Sequence, residues 1–258
     1  MNLSSLPAES PLLRVAHLRK TFGAHEVLSD VNFSVPSGAV VSVLGRSGTG
    51  KSVLLKCVVG LLQTDGGEVT YRGVSLADPK QRGALRQASS YVFQQNALFD
   101  AATVYENVRL PLQARGTGSP AEWHEQVLEA LERLELTDAA ERYPAQLSGG
   151  MQKRLAVARA LVTKPELVFF DEPTAGLDPL RRNAVFSMIA KLQRASRFTA
   201  VVVTHDVQEA LVVSSRILWL DAGKVRFDGP AQEFQQSQDS QICEFRDNIE
   251  ALRASLRS

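Results

Sequence analysis

The chain has 258 residues, and its 29 Lys plus Arg nearly balance 28 Asp plus Glu, leaving a formal charge of +1. A hydrophobic content of 44% is enough for a full core, which excludes the disordered, collagen-like and disulfide-scaffold classes. So even a charge balance offers no cationic field for nucleic acid or an anionic membrane. The two cysteines, Cys57 and Cys243, lack metal or redox spacing, as expected in a reducing compartment. Met1 to Pro7 shows neither the basic run nor the apolar core of a secretory signal. No stretch approaches the roughly 18 to 20 apolar residues that cross a bilayer, so work at a membrane is expected to borrow another chain's helices.

In chain order, residues 12 to 44 read as strands, with Val31 to Val35 alternating and Ala39 to Leu44 almost wholly apolar, the pattern of a strand buried on both faces. A glycine-rich break, Gly45 to Ser52, leads into an apolar helix ending at Val59 before Gly60. Strands are expected near Glu68 to Arg72 and around Tyr91 to Phe93. From about Leu98 to Thr163 the period becomes helical, with Trp123, Val127, Leu131 and Leu134 on one face. Alternation then resumes through Leu167 to Phe170, Leu180 to Leu192, Thr199 to Thr204 and Val207 to Val213, which implies βαβ units and a mainly parallel sheet with a helical insertion.

Three segments carry chemistry. Gly45-Arg46-Ser47-Gly48-Thr49-Gly50-Lys51-Ser52 matches the eight-residue phosphate-binding loop in its required place between a buried strand and a helix. Its glycines let successive N–H groups curl around a polyphosphate at a helix N-terminus. Lys51 is expected at the β- and γ-phosphates, and the Ser52 hydroxyl on Mg²⁺. Asp171 and Glu172 follow the apolar run Leu167 to Phe170, at the strand end where ligands sit in open α/β sheets. They suit metal positioning and water activation; two acids after a strand also serve as helix caps. Ser148-Gly149-Gly150 opens the helix Gln152 to Val162 and forms a second anion-accepting terminus, or simply a capped loop. Two phosphate sites with one lysine and one magnesium set suggest that the second serves a neighbouring copy.

The set, with Asp178 in Ala175-Gly176-Leu177-Asp178 and His205 after the Ala200 to Thr204 strand, resembles an ABC-type ATPase over roughly residues 12 to 235. The resemblance implies an α/β P-loop NTPase fold: a mainly parallel sheet core, an antiparallel β region and a helical subdomain at about 98 to 163. It implies ATP and Mg²⁺ as cofactors. It makes Glu172, His205, Lys51 and Gln94 the catalytic set, and Ser52, Gln94 and Asp171 the metal ligands. Nucleotide contacts fall to Phe22, Gly45, Arg46, Ser47, Gly48, Thr49, Gly50, Lys51, Ser52, Val53, Ser148, Gly149, Gly150 and Asp178. Phe22 replaces the family's usual Tyr under adenine, and Met151 its usual Gln at the end of the signature.

Lys51-Ser52-Val53, Ala97 to Asp100, Thr103 to Val108, Leu110 to Leu112 and Met151 look like the ATPases of bacterial mammalian-cell-entry (MCE) type phospholipid transporters. Amino-acid and lipoprotein systems are the nearest alternatives. The lipid reading implies a homodimer on the cytosolic face of the inner membrane, bound to a separate permease, with a small accessory protein and an MCE-type lipid-binding protein as further partners. Nucleic acid is not expected. A soluble ABC ATPase acting on ribosomes or DNA would need paired cassettes or long coiled coils, and a non-hydrolysing ATP binder would not need Glu172 and His205. Residues 236 to 258 are expected to form an amphipathic tail with Ile242, Phe245, Ile249, Leu252 and Leu256 along one seam.

Overall fold

The computed structural model describes residues 10–247. It opens with strands β1 (Leu13–Phe22), β2 (His25–Val35) and β3 (Val40–Leu44), then helix α1 (Lys51–Val59), which Gly60 ends in a left-handed conformation. The strands β4 (Gly66–Tyr71) and β5 (Val74–Ser75) join β1 and β2 in an antiparallel sheet of order β2-β1-β4-β5. Helix α2 (Pro79–Ala88) was not expected from the sequence. Asp78 caps it and Pro79 occupies its first turn, but Leu85 is its one buried residue, so it has no apolar period to read.

After β6 (Ser89–Val92) comes the helical block: α3 (Val104–Arg115), α4 (Pro120–Arg133), two short 3₁₀ turns and α5 (Gly149–Leu161). Capping boxes at Thr103 with Glu106 and at Ser119 with Glu122 start α3 and α4 by satisfying otherwise unpaired N–H groups. The expected face of α4 is the buried one: Val127, Leu131 and the following Leu134 lie in one cluster with Val104, Val108 and Leu155, and Trp123 packs against it.

Helices and strands then alternate through β7 (Leu167–Asp171), α6 (Pro179–Ser196), β8 (Thr199–Thr204), α7 (Val207–Val213), β9 (Arg216–Asp221) and β10 (Lys224–Pro230). The second sheet has the order β10-β9-β3-β8-β7-β6 and is parallel apart from the β9–β10 hairpin. Neither β9 nor β10 was assigned from the sequence. Both faces of this sheet are covered, which explains its unbroken apolar strands. Phe169, Val201 and Val203 point into the core shared with α1 and the antiparallel sheet, while Phe170, Ala200 and Val202 point into the core shared with the helical block and α6.

The described chain closes with α8 (Ala231–Gln236) and α9 (Ser240–Arg246). Of the expected tail seam, Ile242 is buried and Phe245 stacks on Trp219 with ring centroids 5.8 Å apart. Ile249, Leu252 and Leu256 lie outside the described residues. No helix among the described residues is long and apolar enough to cross a membrane.

Candidate active site

The register of the parallel sheet assembles the site. Leu44 pairs with Thr204 and Asp171 with Val203, so the segments leaving β3, β7 and β8 emerge side by side at the strand C-termini. The glycine loop follows β3, Asp171 and Glu172 sit at the end of β7, and His205 follows β8. Gln94 lies just beyond β6, the neighbour of β7. A cleft of about 470 Å³ opens there, lined by Phe22, Ser47, Gly48, Gly50, Lys51, Ser52, Val53, Gln94 and Glu172.

The loop is built for a backbone-lined cradle. Gly50 stands at the N-cap of α1 with φ near +93°, and no side chain caps the helix. Its N-terminal amides are therefore left for an anion. A Cβ on Gly50 would lie 2.8 Å from Val27 Cγ1, so both conformation and space require glycine there. Lys51 is only 6% exposed. Its ammonium donates to the carbonyls of Gly45 and Arg46, each at 2.9 Å, and stands 3.9 Å from Glu172 Oε1. Burial pulls its pKa below the usual lysine value, opposed by the negative charges of Glu172 and Asp171.

Asp171 is held from two sides. The Ser52 hydroxyl donates to its Oδ1 at 2.6 Å, and the Tyr91 hydroxyl donates to its Oδ2 at 2.8 Å. Burial and the neighbouring Asp171 charge drive the Tyr91 pKa far upward, so Tyr91 stays a donor. Tyr91 stood in the expected strand without a role; its partner became visible only across the β6–β7 pairing.

Glu172 is 8% exposed and adopts a left-handed backbone, φ +49°, a conformation that costs a non-glycine residue about 1–3 kcal/mol. Its Oε2 meets His205 Nδ1 at 2.8 Å. The strained turn aims the carboxylate into the cleft beside Lys51 rather than back along the strand.

Phe22 lies at the cleft mouth, 48% exposed, with Lys20 Nζ 5.3 Å from its ring centroid. An aromatic face left half open is suited to stacking. Lys153 was not singled out from the sequence. It lies on α5, 5% exposed, and its ammonium donates to the Gln94 carbonyl at 2.6 Å. Burial lowers its pKa and Glu172 opposes that shift.

The remaining expected residues fall away from this cleft. Ser148 caps α5 by accepting from the Met151 amide, and Gly149 faces Leu177, where an added Cβ would lie 3.6 Å from Leu177 Cδ2. Gly150 has open space beside it. Met151 packs on the helical core, so its side chain serves the fold. Asp178 caps α6, accepting from the Arg181 amide and pairing with the Arg181 guanidinium at 3.3 Å. None of Ser148, Gly149, Gly150 and Asp178 lines the cleft of this copy.

Comparison with known proteins agrees with this geometry. The family profile described as ABC transporter matches residues 28–175. The glutamine transport ATP-binding protein GlnQ of Escherichia coli is 37% identical over 241 residues, covering 92% of this chain and 100% of GlnQ. The sulfate/thiosulfate import ATP-binding protein CysA of Escherichia coli is 34% identical over 249 residues, 95% of this chain and 67% of CysA. The aliphatic sulfonates import ATP-binding protein SsuB of Pseudomonas fluorescens is 37% identical over 220 residues, 85% of this chain and 77% of SsuB. Among solved structures, the ATP-binding cassette MJ0796, captured as a dimer bound to ADP and Pi, superposes with a TM-score of 0.76 at 34% identity, covering 85% of this chain and 98% of that one. Fold, site and relatives converge: this chain belongs to the ABC transporter family and is an ATP-hydrolysing ATP-binding subunit with the ABC ATPase fold.

Proposed function

We propose that this subunit powers an importer of small polar solutes, working as a homodimer against a separate membrane permease. The observation that carries this is the catalytic cleft on a chain whose relatives named above serve glutamine, sulfate and sulfonate transport. None of those relatives is a lipid system, and the phospholipid reading rests on the sequence motifs Lys51 to Val53, Ala97 to Asp100, Thr103 to Val108, Leu110 to Leu112 and Met151 alone. The MCE-type and small accessory partners stand or fall with it.

In the proposed mechanism the loop amides and Lys51 receive the β- and γ-phosphates, the Lys51 ammonium exchanging the Gly45 and Arg46 carbonyls for phosphate oxygens. Phe22 stacks on adenine. Ser52, Asp171 and Gln94 offer hydroxyl, carboxylate and amide oxygens, a donor set that fits Mg²⁺. A hard cation held by these residues would supply charge neutralisation at the phosphates. Glu172 orients a water and takes its proton as the water oxygen bonds to the γ-phosphorus. The bond from that phosphorus to the bridging oxygen breaks, and ADP leaves with the electron pair. His205, held by Glu172, is the proposed γ-phosphate contact. Because Ser148, Gly149, Gly150 and Asp178 lie outside their own cleft, they are proposed to close the site of a second copy, a reading supported by the dimeric form of MJ0796. Gln94, beside the cleft on the approach to the helical block, is proposed to report occupancy to the permease. The subunit would then sit peripherally on the cytosolic face of the membrane.

The test is to co-purify the subunit with its membrane partners in detergent, reconstitute them in vesicles, and measure ATP hydrolysis with glutamine, sulfate, alkyl sulfonates or phospholipid as cargo. Stimulation and uptake with one of the polar solutes is expected. Stimulation by phospholipid alone would overturn the importer reading in favour of lipid transport.

A further inference from the structure

The segment that carries Glu172 continues through Thr174 and Leu177 to Asp178, and α7 with its leading turn holds it at three points. His205 meets Glu172. Asp206 accepts from Arg182 Nη1 at 3.1 Å, and Arg182 Nε donates to the Leu177 carbonyl at 3.3 Å. The third point involves Glu209, a glutamate only 7% exposed whose carboxylate accepts from Thr174 Oγ1 at 3.2 Å. Thr174 is itself buried.

A buried carboxyl is costly to maintain, and this one serves no capping role, since Asp206 caps α7 by accepting from the Glu209 amide at 3.0 Å. Its side chain instead grips the turn that follows the catalytic strand. That turn is where Glu172 departs into a left-handed backbone, and its internal bonds, Ala175 N–H to the Glu172 carbonyl at 3.1 Å and Leu177 N–H to the Thr174 carbonyl at 3.2 Å, run on both sides of Thr174. A strained conformation persists only where its surroundings over-determine it. Fixing the Thr174 side chain fixes the residue about which both turns pivot.

We propose that Glu209 is a positioning residue for hydrolysis, holding Thr174 and thereby the orientation of the Glu172 carboxylate toward the attacking water. The pair acts on the aim of the base and not on nucleotide capture, because neither Glu209 nor Thr174 lines the nucleotide cleft. It also ties the catalytic turn to Leu177, against which Gly149 of the signature packs, so the same clamp joins the two faces that the proposed dimer would use.

The proposal rests on Glu172 as the base, so Glu172→Gln is measured alongside. ATPase rates, KM for ATP and thermal unfolding are recorded for Glu209→Ala, Glu209→Gln, Thr174→Val, Thr174→Ser and the Glu209→Ala/Thr174→Val double variant. Expected are kcat losses of roughly 10- to 100-fold in Glu209→Ala and Thr174→Val, the scale that misplacing a reacting group carries, with KM within about twofold. The double variant should be no slower than either single one, since both remove one shared interaction. Glu209→Gln and Thr174→Ser, which keep the acceptor and the hydroxyl, should restore most of the rate. Unchanged kcat in the folded single variants, multiplicative losses in the double variant, or failure of the conservative variants to rescue would each overturn the proposal. If Glu172→Gln itself hydrolyses ATP at the normal rate, the reading of the site fails first.

Discussion

Glu244 of α9 reaches Arg46 in the phosphate loop, with Oε1 2.7 Å from Nη2. The contact joins the last described helix to the anion cradle across a gap of 198 residues in sequence, and the adjacent Phe245 stacks on Trp219. Both partners are more than half exposed, and exposed pairs contribute about 0–1 kcal/mol. Glu244→Ala should therefore free Arg46 toward the phosphates and tighten ATP binding by less than about fivefold. The gain should shrink at high salt, where screening weakens the pair in the parent. Fluorescent-nucleotide titrations at low and high ionic strength read it; weaker binding in the variant would show that the tail supports the loop.

Lys51 is the one lysine among the residues lining the cleft. Lys51→Ala should abolish ATP hydrolysis, because no other lysine among the described residues lines that cleft. A phosphate-release assay under saturating ATP checks it, and a rate near the parent's would refute the assignment of the cleft.

Glu172→Gln keeps the hydrogen-bonding shape beside His205 and removes the proposed base. Hydrolysis should fall on the order of 10²–10⁴-fold, while Mg-ATP still binds and holds two copies together. Light scattering with and without Mg-ATP checks the second part. A variant that binds ATP and remains monomeric would count against the proposed dimer.

Glu209 also makes stability depend on pH. Burial, then the negative charge of Asp206, raises its pKa from 4.5 to about 7, against the opposing effects of the Thr174 hydrogen bond, Arg182 and His205. Between those values the folded protein retains a proton that the unfolded chain releases, so this residue's contribution falls as pH rises through that window and is flat below it. Glu209→Gln removes the titration. Relative to the parent, the variant should gain thermal stability on going from pH near 5 to pH near 8, followed by calorimetry. A parent-minus-variant difference that does not change with pH would contradict the shift.

Lys153 holds the Gln94 carbonyl from within the helical block. Lys153→Met keeps the apolar stem and removes the ammonium bonded there, so it should loosen the link between α5 and Gln94. The expected result is a permease-stimulated ATPase reduced more than the unstimulated rate, measured in reconstituted vesicles. Equal reduction of both would place the effect in the site itself.

Local chemistry was legible in the order of residues. The glycine loop after β3, the acids ending β7 and the Ser148 cap depend on backbone preferences and neighbours within a few positions. The apolar strands and the face of α4 follow from periodicity, which reports burial directly. By contrast α2, with no apolar stripe, and the β9–β10 hairpin went unread. The importer relatives likewise point away from the lipid cargo that short motifs suggested, because such motifs specify the ATPase engine more tightly than its freight. What tertiary structure alone decided are the long-range polar pairings: Tyr91 with Asp171, His205 with Glu172, Lys153 with Gln94 and Thr174 with Glu209. The physical reason is that a buried polar group must find a partner, and which one it finds is set by strand order and register in the sheet. Glu209 is one of many glutamates until β7 and β8 lie side by side, and the turn after Asp171 is brought against α7.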